Sequence, residues 1–433
     1  MAWEHPVLEA FHVAAARVPA YRQILADAGC DPAAVRTMDD FRRLVPVLDK
    51  QMTFGRFPIA QLCLDGQVGQ PALVLTSSGQ SGLFSIGLYD AATAAQDAEA
   101  LDEALDSILQ VRSKKTLLIN CLPMGVRVPS RACTVGDVSV REDMAVALVK
   151  HFASHYEQII LVGDAVFIKL VLEFGQDHGV DWKTPLIHLF LGEEPLAENA
   201  RIYFGSILAT NGYDVSTGMI GSSMGVGELG LNLFFELPPL IALRRRLHLD
   251  PALRARWLGP EARVVPMIFT YDPRRILVEV LSDGRLVVSM LDPSRRVPML
   301  RYATSDRAGA PDEALLRPAL QELGFSQPLP VIFVHGRCAA DAVGISVEEV
   351  KEAIYADHAV ARLLTGAFVS QAGRVYVQLS DGCTASESDI SRLIDTLNSR
   401  LPRPVNALCR AYGDFPHARC VDYERKLGYV CPS

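Results

Sequence analysis

Lysine is scarce in this chain. Of 433 residues 42 are basic, and only eight of those are Lys. Arginine is therefore the habitual cation, and a lysine in a chemically suggestive setting carries more information than usual. Long apolar runs are missing too. No segment approaches the roughly 18–20 apolar residues that a bilayer span requires. Met1-Ala2-Trp3-Glu4-His5 lacks the basic and apolar regions of a signal peptide. The expectation is a cytoplasmic protein without a membrane partner. A net charge of −8 and the absence of any long basic run argue against nucleic acid as a partner. The short cluster Arg244-Arg245-Arg246 reads as a solvated helix face.

Paired cysteines are also lacking. Nine stand scattered at 30, 63, 121, 133, 338, 383, 409, 420 and 431, an odd number with no C-x-x-C. That argues against a disulfide framework and a cysteine-rich zinc site, with reduced thiols the default. His151 and His155 stand four apart but belong to no H-E-x-x-H pattern, so they read as a surface pair.

What is present is a large apolar reserve, 49% hydrophobic against 21% charged. That is enough to bury a substantial core over two to four domains. Helical periodicity runs through residues 6–28 with an interruption at Pro19, and a short helix follows Asp39 and ends before Pro46. From residue 92 to 208 helical and strand-like stretches alternate: helices at 92–110, 141–156, 164–179 and 198–208, strands at 117–121, 159–163 and 186–192. Such alternation predicts an α/β domain with much parallel sheet. After residue 230 the texture turns to strands, at 231–240 and 264–270, with a D-G hairpin joining 276–281 to 285–290. This stretch is expected to form a β-rich subdomain. Gly336-Arg337 opens a third region, with a helix at 346–356, strands at 365–371 and 374–379 and a helix at 386–400. The predicted fold is a large N-terminal α/β domain over 1–335 with a β-rich subdomain, plus a small mobile α+β domain over 336–433.

The strongest chemical signal is the run Leu73-Val74-Leu75-Thr76-Ser77-Ser78-Gly79-Gln80-Ser81-Gly82, followed by Leu83–Tyr89. Apolar flanks predict strand, loop, strand. The loop's hydroxyls and exposed backbone N–H groups suit an anionic group such as nucleotide phosphates. It is neither a P-loop of the G-x-x-x-x-G-K-[ST] type nor a G-x-G-x-x-G turn. Taken alone it is equally an ordinary Ser/Gly turn.

Five further stretches follow in order: Gly192-Glu193-Glu194-Pro195; Met224-Gly225-Val226-Gly227-Glu228-Leu229-Gly230; Pro298–Asp306; His335-Gly336-Arg337; and Phe415-Pro416-His417 with Tyr423-Glu424-Arg425-Lys426. With the Ser/Gly loop, and with the Tyr21–Asp49 stretch containing Ala28-Gly29-Cys30-Asp31-Pro32 and Phe41–Lys50, their order and spacing resemble the adenylate-forming enzymes, specifically the phenylacetate–CoA ligase branch. The resemblance spans nearly the whole chain.

By that resemblance Thr76, Ser77, Ser78, Gly79, Ser81 and Gly82 would grip the ATP phosphates, and Glu228 would be the Mg²⁺ ligand. Gly225 would belong to the same turn, and Glu194 and Pro195 would lie beside the adenine and the acyl pocket. Asp306 would receive the ribose hydroxyls, Arg337 would stand near the nucleotide, and Lys426 would neutralise charge during adenylation. His335 and His417 read as structural. The chain departs from the family pattern at Gln80, Ser81, Leu83-Phe84, Met224, Gly227 and Ala303.

The implied activity is ATP- and Mg²⁺-dependent conversion of a carboxylic acid, expected to be aromatic, to acyl-AMP, followed by transfer to the thiol of CoA. Two alternatives stay open. The acyl group could pass to an acyl-carrier protein or an amine in a biosynthetic pathway, or the chain could be a non-catalytic nucleotide-binding relative. A homodimer is compatible with either enzymatic reading.

Overall fold

The computed structural model describes residues 4–77, 82–123, 126–337, 345–371, 374–383, 385–401 and 406–415. At the N-terminus Val7, Phe11, Ala14 and Val18 recur every three to four residues and are fully buried. That spacing makes one apolar stripe on helix α1 (Glu4–Arg17). Pro19, whose missing N–H costs nothing at a first helical position, opens α2 (Pro19–Asp27). Helix α3 (Met38–Leu44) starts on a capping box between Thr37 and Asp40, and α4 (Ile59–Leu62) is a single turn.

Strands β1 (Leu73–Thr76) and β2 (Ile86–Tyr89) form a separate antiparallel pair flanking the Ser/Gly loop, as the apolar flanks predict. Helix α5 (Ala91–Leu109) is capped by the Asp90 carboxylate. The predicted alternation then follows: β3 (Thr116–Asn120), β4 (Thr134–Asp137), α6 (Glu142–Phe152), β5 (Gln158–Asp164), α7 (Ala165–Asp177), β6 (Ile187–Gly192), α8 (Glu198–Leu208) and β7 (Ile220–Val226). Strands β3 to β7 are parallel. The near-continuous apolar runs of β3, β5 and β6 mark strands covered on both faces.

The second half reads β8 (Gly230–Phe235), α9 (Pro238–Leu249), α10 (Pro251–Leu258), β9 (Met267–Thr270), β10 (Ile276–Val280), β11 (Arg285–Met290), β12 (Tyr302–Gly309), α11 (Glu313–Glu322) and β13 (Val331–Arg337). These strands pair antiparallel, and the D-G hairpin joins β10 to β11. They share one 11-stranded sheet with the parallel half, in the order β10-β11-β12-β13-β9-β8-β7-β6-β5-β3-β4. The β-rich stretch is thus the antiparallel half of a continuous mixed sheet. Beyond it lie α12 (Val347–Ile354), α13 (His358–Leu363), β14 (Leu364–Gln371), β15 (Arg374–Leu379), α14 (Glu387–Arg400) and β16 (Asn406–Arg410). Their three strands form a sheet of their own.

Two expectations need correcting here. The strand expected over 231–240 stops at Phe235, because Pro238 and Pro239 fit the first turn of α9. The arginine cluster is not wholly a solvated face either. Arg244 is buried and meets Glu198, while Arg201 meets both Glu198 and Glu236, all at 2.8–3.3 Å. These four charges join α8, α9 and the end of β8. Each guanidinium also donates to backbone carbonyls, Arg244 to those of Pro266 and Leu196 and Arg201 to that of Ile220, as buried charges require.

Candidate nucleotide site

The Ser/Gly loop and the Glu228 turn lie against each other. Gly227 sits so close to the end of β1 that a β-carbon on it would stand 3.2 Å from the Thr76 carbonyl oxygen and 3.3 Å from the Ser77 nitrogen. From β2, the Tyr89 hydroxyl donates to the Gly227 carbonyl at 3.1 Å. Burial pushes the Tyr89 phenol up to about 12, so it stays a donor at neutral pH. Gly225 serves the same close packing, because a side chain there would meet the Leu231 backbone. Gly82 closes the described end of the loop with a left-handed φ of 76°, which glycine adopts without strain. Ser78, Gly79, Gln80 and Ser81 lie outside the described residues, as do His417 and Lys426.

Glu228 is buried and accepts a 2.5 Å hydrogen bond from the Tyr302 hydroxyl. Burial and the neighbouring Glu228 and Asp49 charges raise the Tyr302 phenol far above its usual range, so it remains a permanent donor. Among the described residues no three His, Cys, Asp or Glu side chains gather to hold a metal. A lone carboxylate does not suit an ion caged by protein alone. It suits Mg²⁺, which keeps several waters and is bound through one or two carboxylates plus phosphates.

One residue of this cluster escaped the sequence reading. Lys50 donates to the Ser77 hydroxyl oxygen at 3.0 Å and to the Leu83 carbonyl at 3.5 Å, so it spans both ends of the loop. The same Ser77 oxygen accepts the Ser85 backbone N–H. The scarcity of lysine was the available signal. Its distance of 27 residues from Ser77 hid the contact.

The remaining expected residues line up along β12, β13 and the 192–195 turn. Asp306 is half-buried, four residues beyond Tyr302 on the same strand. Its backbone partner in β13 is Arg337. Left-handed φ values at Arg301 and Ser305 bend the motif at both ends. Gly336, also left-handed, approaches Pro195 within 3.4 Å of where a β-carbon would stand. The Glu194 carboxylate forms a 2.8 Å ion pair with Lys351 of α12, and Lys351 also donates to the Pro195 carbonyl at 3.0 Å. Partial desolvation, and then the Arg307 charge, hold the His335 imidazole below its usual range although the residue keeps an exposed face. The site residues therefore fall into two groups joined by β12. One contains Lys50, Thr76, Ser77 and Glu228, and the other Glu194, Pro195, Asp306 and Arg337.

No protein-family model matches the chain, and no curated protein matches it either. Solved structures do. A 2-hydroxyisobutyryl-CoA ligase in the postadenylation state, in complex with R3-HIB-AMP, aligns with a TM-score of 0.70 at 12% identity, over 100% of this chain and 89% of that one. The same ligase with 2-HIB-AMP gives 0.67 at 13% identity, over 100% and 89%. In complex with 2-HIB-AMP and CoA in the thioesterification state it gives 0.56 at 13% identity, over 99% and 88%. The chain has the fold of the adenylate-forming enzymes. Within that fold, the likeness on which these figures rest is to a ligase that makes a CoA thioester.

Proposed function

We propose that the protein activates a small carboxylic acid with ATP and passes the acyl group to the thiol of CoA. The observation that carries this reading is the convergence of Lys50, Ser77 and the Gly227-Glu228 turn, brought together from three distant segments. In the first step the acid's carboxylate oxygen attacks the α-phosphorus, the bond to the β-phosphate breaks, and pyrophosphate leaves. In the second the thiol attacks the acyl-AMP carbonyl and AMP departs. Both steps ask the protein mainly to align anions and neutralise charge.

In this reading Lys50, Thr76, Ser77, Gly82 and the neighbouring Ser78, Gly79 and Ser81 hold phosphates. Glu228 offers the carboxylate for Mg²⁺, which when bound neutralises phosphate charge. Asp306 takes the ribose, Arg337, Glu194 and Pro195 adjoin the nucleoside end, and Lys426 supplies the cation for adenylation. The resemblance of the motifs to the phenylacetate–CoA ligase branch favours an aromatic acid. We place the functional boundary between 335 and 336, with the C-terminal domain able to move, and the protein in the cytoplasm. Among the described residues no helix is long and apolar enough to cross a membrane.

The test is pyrophosphate release with ATP, Mg²⁺ and a panel of aryl and alkyl acids, followed by mass spectrometry of products with CoA, an acyl-carrier protein or an amine present. Acid-dependent pyrophosphate and an acyl-CoA product are expected. Folded protein releasing none with any acid would end the proposal.

A further inference from the structure

Among the described residues Arg301 makes no hydrogen bond to the Ser/Gly loop or to Glu228, yet it is buried and strongly engaged. Its backbone is left-handed, with φ 49°, immediately before β12. A non-glycine residue stays in that region only where its surroundings hold it. What holds it is the segment that carries Lys50. The Arg301 guanidinium donates through Nη1 to the carbonyls of Arg42 and Val45, both at 2.6 Å, where α3 ends. Its Nε faces Glu279 of β10 at 3.3 Å. Its own carbonyl accepts the Leu48 N–H at 2.8 Å, and the Leu48 carbonyl accepts the Ala303 N–H at 2.8 Å. Leu48 is thereby bridged in parallel to Tyr302, the residue that holds Glu228. Two positions further on, Lys50 reaches Ser77.

One guanidinium thus fixes the chain direction at Arg42 and Val45, and one backbone bridge fixes it at Leu48. We propose that Arg301 is a positioning residue that sets the Lys50 ammonium at the Ser/Gly loop, acting through residues 42–50. The inference rests on the reading above that this loop holds nucleotide phosphates. Arg suits the task because its planar fork serves two carbonyls and a carboxylate at once. A lysine keeps the charge and loses that geometry.

Calorimetry with Mg-ATP and with AMP on wild type, Arg301→Lys, Lys50→Met and the double variant tests it. Hydrogen exchange of residues 42–52 accompanies the titrations. Arg301→Lys and Lys50→Met should each weaken ATP roughly tenfold, the scale of one charge-assisted hydrogen bond, and change AMP less than about twofold. The double variant should be no weaker than Lys50→Met. Exchange over 42–52 should quicken in Arg301→Lys and not in Lys50→Met.

Additive losses, an equal loss for AMP, or unchanged exchange would overturn the assignment of Arg301 while leaving the nucleotide reading intact. Wild-type protein that bound no Mg-ATP would overturn both. If Arg301→Lys fails to fold, Glu279→Gln, which removes only the carboxylate facing the guanidinium, should show the same selective loss on a smaller scale, and an unselective one would count against the proposal.

Discussion

The central sheet carries two different attachments. The N-terminal helices pack on one another, Phe11 of α1 meeting Phe41 of α3 edge-on, and reach the sheet where the Tyr21 hydroxyl accepts the Leu300 N–H, Leu48 pairs beside Tyr302 and Arg301 holds the end of α3. The C-terminal helices α12 and α13 add charges to apolar packing, in which Tyr355 lies against Tyr203 and Phe204 of α8. Lys351 meets Glu194, Arg362 meets Asp177, and the Glu352 carboxylate accepts the backbone N–H groups of Glu198 and Asn199 at the start of α8. Apolar surface, once parted, stays costly in water. Ions regain their hydration. Both attachments bury apolar surface, and the C-terminal one adds a buried ion pair to it.

The contrast breaks most sharply at Phe11. Phe11→Ala should destabilise the whole protein by about 3–5 kcal/mol in denaturant titration, because it empties a filled site between α1 and α3. Lys351→Met attacks the other attachment. It removes the ammonium facing Glu194 and should weaken docking of α12 by about 2–3 kcal/mol, read as faster hydrogen exchange over 347–354 with exchange in β3 and β5 unchanged. An equal rise throughout the sheet would show that the two attachments are one cooperative unit.

A smaller effect is expected at Asp164, which ends β5 near Glu194. Burial first, then the Glu194 charge, raises its carboxyl to about 7. The folded protein thus holds this proton more tightly than the unfolded chain does. The stability this confers is complete below about pH 4 and lost as pH rises through 7. Asp164→Asn keeps a cap for α7, so it should match wild type near pH 4 and exceed it by about 1–2 kcal/mol above pH 8, a figure reduced because the side chain keeps an edge in water. Thermal melts across that range check it. The exposed Arg56–Asp27 pair is the baseline: Arg56→Ala should leave the thermal melt indistinguishable from wild type.

Much of this was readable beforehand, for definite reasons. Local periodicity gave α8 at its full span and the D-G hairpin, because both depend on near neighbours. Ordered motifs pointed to Glu228 and Ser77 as partners, and the Gly227 contact brings them together. Lys50 was overlooked because its position depends on Leu48 finding Tyr302, 254 residues away, which no local pattern encodes. Arg244 was misplaced because a charged triplet looks solvated until Glu198 and Glu236 are seen facing it. The resemblance sets Glu194 beside the adenine and the acyl pocket, and its side chain also meets a lysine from beyond β13, a contact no local pattern encodes.

The β1–β2 ribbon has one last implication. Two isolated strands are marginal by themselves, and these two are pressed onto the 226–229 turn through glycine: a β-carbon on Gly87 would lie 2.6 Å from the Gly227 carbonyl oxygen. The bare backbones act as a spacer gauge. The thickness of one missing methyl group sets how far the hydroxyl-bearing loop stands from the carboxylate, so an alanine at 87 would push the Gly227 carbonyl and the Tyr89 hydroxyl away together, and one at 227 would force the end of β1 back by a few tenths of an ångström.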